Sequence, residues 1–590
     1  MKIDEKLSVL RSKMTAQGIS AYIMPLGDPH QSEYPAAHWK SLRYISGFTG
    51  SAGTVAVTTD HAGLWTDSRY FLQGEQELST SSFELHKMGQ GQAGYVDWLA
   101  ENLPEGAVVI ADGAMISLGQ RDSWTKKFEA KGISLKVTED FIGDKWEGRP
   151  PIPEGTIFEH EVKFAGKSRA EKLTEIRAAM QEAGADLHLV TTLDDIGWIM
   201  NLRGSDVECN PVFVSYLLIG KEGVQLFINP SKVSAGLEST LAADNIKIHN
   251  YQDIIPQLKQ LTTSDKVLIN KASVNVQLYE ALSQATTIDG KIISRHLKAV
   301  KNDTEINHFR QVHVKDAVAL TKAFYWLEQT VKEQPVTEYE FSEKLTACRA
   351  EQAGYFGDSF SAIVGYKGNG AIIHYRPYEK TAAAIHNDGI LLVDSGGQYT
   401  DGTTDITRTI TFTPPPPEQK NAYTRVLKGH IALAQAVFPE GTTGGQLDVL
   451  ARHSLWQDGM NYGHGTGHGV GFFMNVHEPP QGFAPGATGR ATSIQKPGMI
   501  TSNEPGHYVT DQYGIRIENL LLTKKAKTEG FLEFETITYF PIDTQLIDFS
   551  LLTKAEVDWL NAYHADVKER VCPQLDGVYK EWMEEKCKEV

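Results

Sequence analysis

Leu391-Leu-Val-Asp394-Ser-Gly-Gly-Gln-Tyr-Thr-Asp401-Gly402-Thr-Thr-Asp405-Ile-Thr-Arg-Thr409 is the stretch on which the reading of this chain turns. Residues 389 to 394 form a short apolar run that reads as a buried strand ending on Asp394. Residues 403 to 412 alternate polar and β-branched side chains, the period of a second strand. Between them, Asp401-Gly402 is the dipeptide that marks a hairpin turn. A hairpin centred there sets Asp394 and Asp405 close together on adjacent strands, where neighbours on one face lie ~5 Å apart. Two bare carboxylates at that distance repel, so a cation is their natural complement.

Three more residues extend the set: His468 in HGTGHGVG, Glu504 in TSNEPG and Glu518 in GIRIENL. Each lies in a segment that reads as a strand or a Gly-rich turn. Four carboxylates and one imidazole are too much negative charge to bury without cations. A pair of hard divalent ions resolves this. The oxygen-rich set suits manganese-like ions better than the thiolate-rich sites of structural zinc. Two metals sharing bridging carboxylates and holding a hydroxide between them make a hydrolase.

His464 and His468 have the spacing of two ligands on one helix face, as in helical zinc motifs. Gly465, Gly467, Gly469 and Gly471 argue against a helix there. The segment instead reads as a strand or bend whose backbone must approach another group closely. The two histidines then need not both bind metal. Two further glycine patterns fail. Gly365 and Gly370 have phosphate-loop spacing, but Ala371 stands where a lysine is required. Gly465-Thr-Gly467 runs on to Val470 rather than to a third glycine.

The segments GNGAIIHY (368–375), residues 391–409, HGTGHGVGFFMNVHE (464–478), NEPG (503–506) and GIRIEN (514–519) resemble the catalytic domain of the aminopeptidase P family. AYIMPLGDPHQSEY (21–34), YISGFTGSAGT (44–54), LWTDSRYFLQ (64–73), WIMNLRGSDVECNPVF (198–213) and VKDAVAL (314–320) extend the resemblance almost end to end, to the long, three-domain Xaa-Pro aminopeptidases of cytosolic type. The resemblance implies an α/β fold: two related creatinase-like N-terminal domains, residues 1–148 and 149–298, then a pita-bread catalytic domain, 299–590, with a C-terminal helical tail. It implies that Asp394 chelates one metal, that His468 and Glu504 bind the other, and that Asp405 and Glu518 bridge both, with manganese as the expected pair of ions. Glu504 is the expected general base. His374 and His477 are expected at the scissile bond, with His477 stabilising the oxyanion, and His464 in the wall of a pocket for the proline ring. Arg516, two residues before Glu518, is placed among the residues around the substrate, where it could anchor the ligand carboxylates. The implied substrates are peptides with proline second. A prolidase restricted to Xaa-Pro dipeptides and a nonenzymatic pita-bread peptide-binding protein are the alternatives. The paired N-terminal segments argue against the first, and the complete ligand set against the second.

The bulk properties agree with this. A chain of 590 residues exceeds a single core. A net charge of −17 disfavours nucleic acid and anionic membranes as partners. No apolar run approaches the ~20 residues of a membrane span. The first fourteen residues read as an amphipathic helix without a signal-peptide core, so a cytoplasmic protein is expected. Cys209, Cys348, Cys572 and Cys587 are scattered and are expected as free thiols. Arg149-Pro-Pro-Ile-Pro153 reads as a linker. Tyr44–Gly50 and Trp198–Gly204 are faintly similar, and each precedes a hairpin region, which suggests two copies of one fold. Pro414 to Pro417 read as a connector. A capping box at Thr553 and Glu556 opens a helix, and another is expected from Leu575 to Lys588. Trp456, near a predicted helix end at Gly459, is expected at a homodimer interface, with a core position as the alternative.

Overall fold

The computed structural model describes residues 1–89, 93–486 and 489–590. It divides into two compact units: residues 1–161 with 167–294, and residues 162–166 with 295–590.

The first unit holds two six-stranded sheets. One runs, in spatial order, Glu84–Lys87, Ala62–Thr66, Thr54–Thr58, Ala21–Pro25, Val108–Asp112, Ser134–Thr138. The other runs Ile246–His249, Val224–Phe227, Tyr216–Gly220, Leu187–Val190, Lys266–Ile269, Thr286–Asp289. From one edge to the other, both pair parallel, antiparallel, antiparallel, parallel, parallel. Identical strand order with identical polarity is the two-copy architecture that the paired motifs suggest. The central strands are buried on both faces, as strands flanked by crossover helices must be. Within the unit the halves are joined by hydrogen bonds: the Leu118 N–H donates to the carbonyl of Val274 at 2.9 Å, and the Asn275 side-chain Nδ2 donates to the carbonyl of Pro29 at 2.8 Å.

The second unit opens on the helix Asp303–Thr330. Asn302 caps it, accepting from the amide of Glu305, whose carboxylate accepts in return from the amide of Asn302, both at 3.0 Å. A three-stranded sheet, Ile363–Tyr366, Ile390–Ser395 and Ile406–Thr411, and a six-stranded antiparallel sheet that includes Gly467–Gly469, Ile500–Asn503 and Asn519–Lys525 carry the interior. The helices Asp303–Thr330, Glu338–Ala350 and Pro417–Ala434 bury apolar faces in one core with the three-stranded sheet, while the six-stranded sheet buries its apolar residues in two smaller clusters. Pro417 is the first residue of its helix rather than part of the connector, because that position needs no N–H.

The C-terminal helices, Lys554–Val571 and Gly577–Lys586, belong to the same core. Leu560, Val567, Val571 and Met583 are fully buried in it. Arg408, 1% exposed, fastens this tail to the catalytic sheet. Its guanidinium donates to the carbonyls of Glu518, Phe540 and Pro541, to Asn519 Oδ1 and to the hydroxyl of Tyr563. All four cysteines are free. No helix among the described residues is long and apolar enough to cross a membrane.

Candidate active site

The hairpin read from the sequence forms. Ile390–Ser395 pairs antiparallel with Ile406–Thr411, Asp394 standing opposite Thr407. A smaller ladder, Gln398 with Thr403 and Tyr399 with Gly402, closes the turn. Asp405 is two residues from Thr407, so it shares a face with Asp394 as a diagonal neighbour. The Thr407 hydroxyl donates to Glu518 Oε2 at 2.8 Å and ties a third carboxylate to the same face.

His468 sits on the short strand Gly467–Gly469. A Cβ at Gly467 would lie 1.8 Å from the carbonyl oxygen of Ser502, and one at Gly469 would lie 2.2 Å from that of Glu478. No side chain fits either gap, so glycine on both sides lets the strand enter the sheet and deliver the imidazole. His468 Nδ1 donates to the carbonyl of Gly469 at 2.9 Å, which turns Nε2 toward Asp405 Oδ2, 3.4 Å away, and Glu504 Oε1, 3.6 Å away. One donor atom from each of Asp405, His468 and Glu518 falls within a 4.8 Å sphere of mutual distance. The His477 ring lies 4.2 Å from that of His468.

Electrostatically the cluster is overloaded. Burial, then the charge of Asp394, holds the Asp405 carboxyl well above its ordinary range. Burial, then Asp405 and Glu504, does the same to Glu518. Burial pushes Glu504 up to about 8; Arg516 opposes this, and Asp405 and Asp394 add to it. One buried oxygen, Asp394 Oδ1, accepts no hydrogen bond. A set of anionic oxygens that must take up protons, with one lone pair unmet and one imidazole nitrogen aimed into it, fits a pair of hard divalent ions.

Arg516 is 1% exposed and reaches Asp394 Oδ2 at 2.7 Å, the Tyr508 hydroxyl at 2.8 Å and Thr407 Oγ1 at 3.2 Å. Its strand, Tyr513–Arg516, pairs with Gly506–Val509 in a separate two-stranded sheet and ends before Glu518, and from there the guanidinium reaches Asp394 on the neighbouring three-stranded sheet. Breaking such a buried pair costs about 3–5 kcal/mol. Tyr508 also hydrogen-bonds His464 Nε2 at 2.7 Å, which links His464 through Arg516 to Asp394. The ring of Tyr462 lies 4.9 Å from that of His464. The carbonyl of His464 accepts from Arg452 at 2.7 Å, and Arg452 is itself paired with Asp448 at 2.6 Å. His374 follows Ile373, whose carbonyl accepts from Arg516 at 3.4 Å.

Three further residues contribute, and two of them carry no mark in the sequence. Thr407 is the exception in kind, since strand alternation from Asp405 points to it. Tyr508 has no such signal. Neither has His430, buried on the helix Pro417–Ala434, whose Nδ1 donates to the carbonyl of Asn503 at 3.1 Å and whose Nε2 accepts from Asn519 at 3.2 Å. It thereby steadies the residues flanking Glu504 and Glu518.

Comparison with known proteins agrees with this geometry. Residues 307–525 match metallopeptidase family M24, and residues 530–590 match the C-terminal region of that peptidase. Residues 6–141 and 148–305 each match a creatinase/prolidase N-terminal domain. The chain is 40% identical to Xaa-Pro aminopeptidase 1 of Dictyostelium discoideum, over 97% of this chain and 94% of that one. It is 39% identical to aminopeptidase P2 of Arabidopsis thaliana, over 98% and 88%. The crystal structure of X-prolyl aminopeptidase from Caenorhabditis elegans, described as a cytosolic enzyme with a di-nuclear active site, superposes with a TM-score of 0.96 at 33% identity, covering all of both chains. A Xaa-Pro dipeptidase from Bacillus anthracis matches 64% of this chain, with a TM-score of 0.50 at 25% identity. The fold is thus two creatinase-type domains followed by a pita-bread domain, and the chain belongs to metallopeptidase family M24.

Proposed function

We propose that this chain is an Xaa-Pro aminopeptidase that removes the first residue from peptides with proline second. The observation that carries the reading is the convergence of Asp394, Asp405, His468, Glu504 and Glu518 in a chain that matches such aminopeptidases over its whole length. The partial span of the dipeptidase match favours an aminopeptidase over a prolidase. The two N-terminal domains are taken as residues 1–148 and 149–298, and the catalytic domain as 299–590.

Asp394, Asp405 and Glu518 would hold one ion, and His468, Glu504 and the same Asp405 and Glu518 the other, with manganese as the preferred metal. When bound, the pair supplies Lewis-acid polarisation of the scissile carbonyl and a nucleophile at neutral pH. The chain's own residues do the rest. Glu504, whose Oε1 stands 3.6 Å from His468 Nε2, takes the proton of the attacking water. His477, packed on His468, donates to the developing oxyanion, and His374 contacts substrate beside the cleaved bond. Arg516 holds Asp394 in place. His464, braced by Tyr508 between the rings of Tyr462 and Tyr508, forms a wall for the proline ring. A Xaa-Pro bond is a tertiary amide without an N–H, so a site that accepts the ring loses nothing there, whereas a general peptidase loses a hydrogen bond. The reading is tested by assaying an Ala-Pro dipeptide beside Ala-Pro-Ala and Ala-Ala-Ala tripeptides, with and without manganese. Ala-Pro-Ala should be cleaved at least ~100-fold faster than Ala-Ala-Ala. Equal rates on the two tripeptides would refute it.

The working protein is proposed to be a cytoplasmic homodimer. Trp456 ends the helix Gly444–Trp456 and is 45% exposed, its indole N–H donating to Asn461 at 3.2 Å, so it is a surface residue rather than a core anchor. Trp456→Glu should give a folded monomer by light scattering with lowered activity. A wild-type protein that is monomeric at micromolar concentration removes the dimer.

A further inference from the structure

A second candidate metal cluster lies far from this chemistry in sequence, in the first of the two N-terminal sheets. It is carried by the parallel edge pair Ala62–Thr66 and Glu84–Lys87. Gly63 pairs with Glu84 and Trp65 with His86. The two-residue period puts His61, Gly63 and Trp65 on one face, and Glu84 and His86 on the same face of the neighbouring strand. A Cβ at Gly63 would lie 2.4 Å from the Trp65 ring and 2.8 Å from His61 Nε2. The missing side chain is what lets the two rings close over the strand.

The imidazoles are held by aromatic neighbours. The His86 ring stacks on that of buried Trp65, with centroids 3.9 Å apart and planes 6° apart. The His61 ring lies 4.4 Å from that of Trp98, on the helix Tyr95–Asn102 that covers this face. So placed, His61 Nε2 and His86 Nε2 are 3.1 Å apart. Two nitrogens ligating one tetrahedral zinc ion at 2.0–2.1 Å lie ~3.3 Å apart. A Glu84 carboxylate oxygen stands 3.7 Å from His61 Nδ1, and one donor from each of the three residues lies within 4.8 Å of the others. Glu84 is mostly exposed, which leaves room for solvent to complete the coordination.

We propose that His61, His86 and Glu84 form a zinc-class binding site, separate in sequence and in ligand chemistry from the dinuclear centre. Two imidazoles and one carboxylate select borderline ions such as zinc or copper over manganese, whereas the catalytic set is dominated by oxygen. Burial lowers the pKa of both histidines, so each offers a free lone pair at neutral pH and no proton has to be displaced. The alternative occupant of the 3.1 Å gap is a proton, a plain N–H···N hydrogen bond between neutral rings. In that arrangement Glu84 only faces the other nitrogen of His61, Nδ1, at 3.7 Å, and the three residues take up no zinc.

The test uses the full chain loaded with manganese and equilibrium dialysis against zinc chloride. The wild type should take up one more zinc per chain than His61→Asn or His86→Asn. Glu84→Gln should keep the site but bind at least ~10-fold more weakly. Copper should quench tryptophan emission in the wild type through Trp65 and Trp98, and this quenching should vanish in the histidine variants. Cleavage of Ala-Pro-Ala should be unchanged in all three. Equal zinc uptake and equal affinity in the wild type and Glu84→Gln would overturn the proposal, whether or not the histidine variants fold.

Discussion

Asp405→Ala and Glu518→Ala will each lower kcat/KM by about a thousandfold or more, equivalent to ~4 kcal/mol of barrier, and will cost bound metal. Both carboxylates reach the space that His468 Nε2 also faces, and Glu518 is oriented there by the Thr407 hydroxyl. Alanine at either position removes a donor assigned to both ions, and no neighbouring side chain can replace it. The metal-free variants should nevertheless be at least as stable as the metal-free wild type, because each deletes one of several mutually repelling buried carboxylates. His374→Ala and His477→Ala should behave differently. They should retain the full metal complement and lose ~10²–10³ in kcat, the scale of an oxyanion or acid–base contact. Metal analysis beside kinetics separates the two classes. An Asp405→Ala protein that still binds two ions, or a His477→Ala protein that loses one, would reverse the assignments.

Stripping the metal should make stability fall with rising pH. In the metal-free chain the carboxyls of Asp405 and Glu518 titrate well above their ordinary values, and that of Glu504 titrates near 8 against an ordinary 4.5. Between the two values the folded state holds protons that the unfolded chain has released, so linkage lowers the unfolding free energy as pH rises through that window. Bound cations take the place of those protons, so loading should release protons and tighten as pH rises. The expected result is a Tm in chelator that declines from about pH 5.5 to pH 8, and a widening gap above it in manganese. Calorimetric titration in buffers of different protonation enthalpy should register the released protons. A gap that does not change with pH would remove the argument.

The parts of this architecture legible in the sequence are those with a local period or a local turn. The Asp401-Gly402 dipeptide between two strand patterns was enough to place Asp394 and Asp405 on one face. The glycines around His468 spoke against a helix for a reason the structure makes concrete, since neither Gly467 nor Gly469 has room for a Cβ. The two-copy N-terminal unit was visible only as a faint echo between Tyr44–Gly50 and Trp198–Gly204; its proof is strand order and polarity, which no single sequence displays. Tyr508 and His430 escaped because their contacts to His464, Asn503 and Asn519 are made across the fold and leave no periodic trace. The place of the tail was undecidable for the same reason: an amphipathic helix announces that it has an apolar face but not what covers it.

The attachment of Arg408 to Tyr563 has a consequence for the order in which the molecule is made. Arg408 follows Asp405 by three residues and holds the carbonyl of Glu518, so the strand and the turn that carry two of the site's carboxylates share one buried cation. That cation has its full complement of acceptors only after Phe540, Pro541 and Tyr563 have been synthesised and folded back. A ribosome translating this chain therefore completes the catalytic sheet last, after both N-terminal domains have had time to fold. The peptidase centre thus matures only once the segment to Tyr563 has been made, well after Glu518, the last of its carboxylates, has emerged.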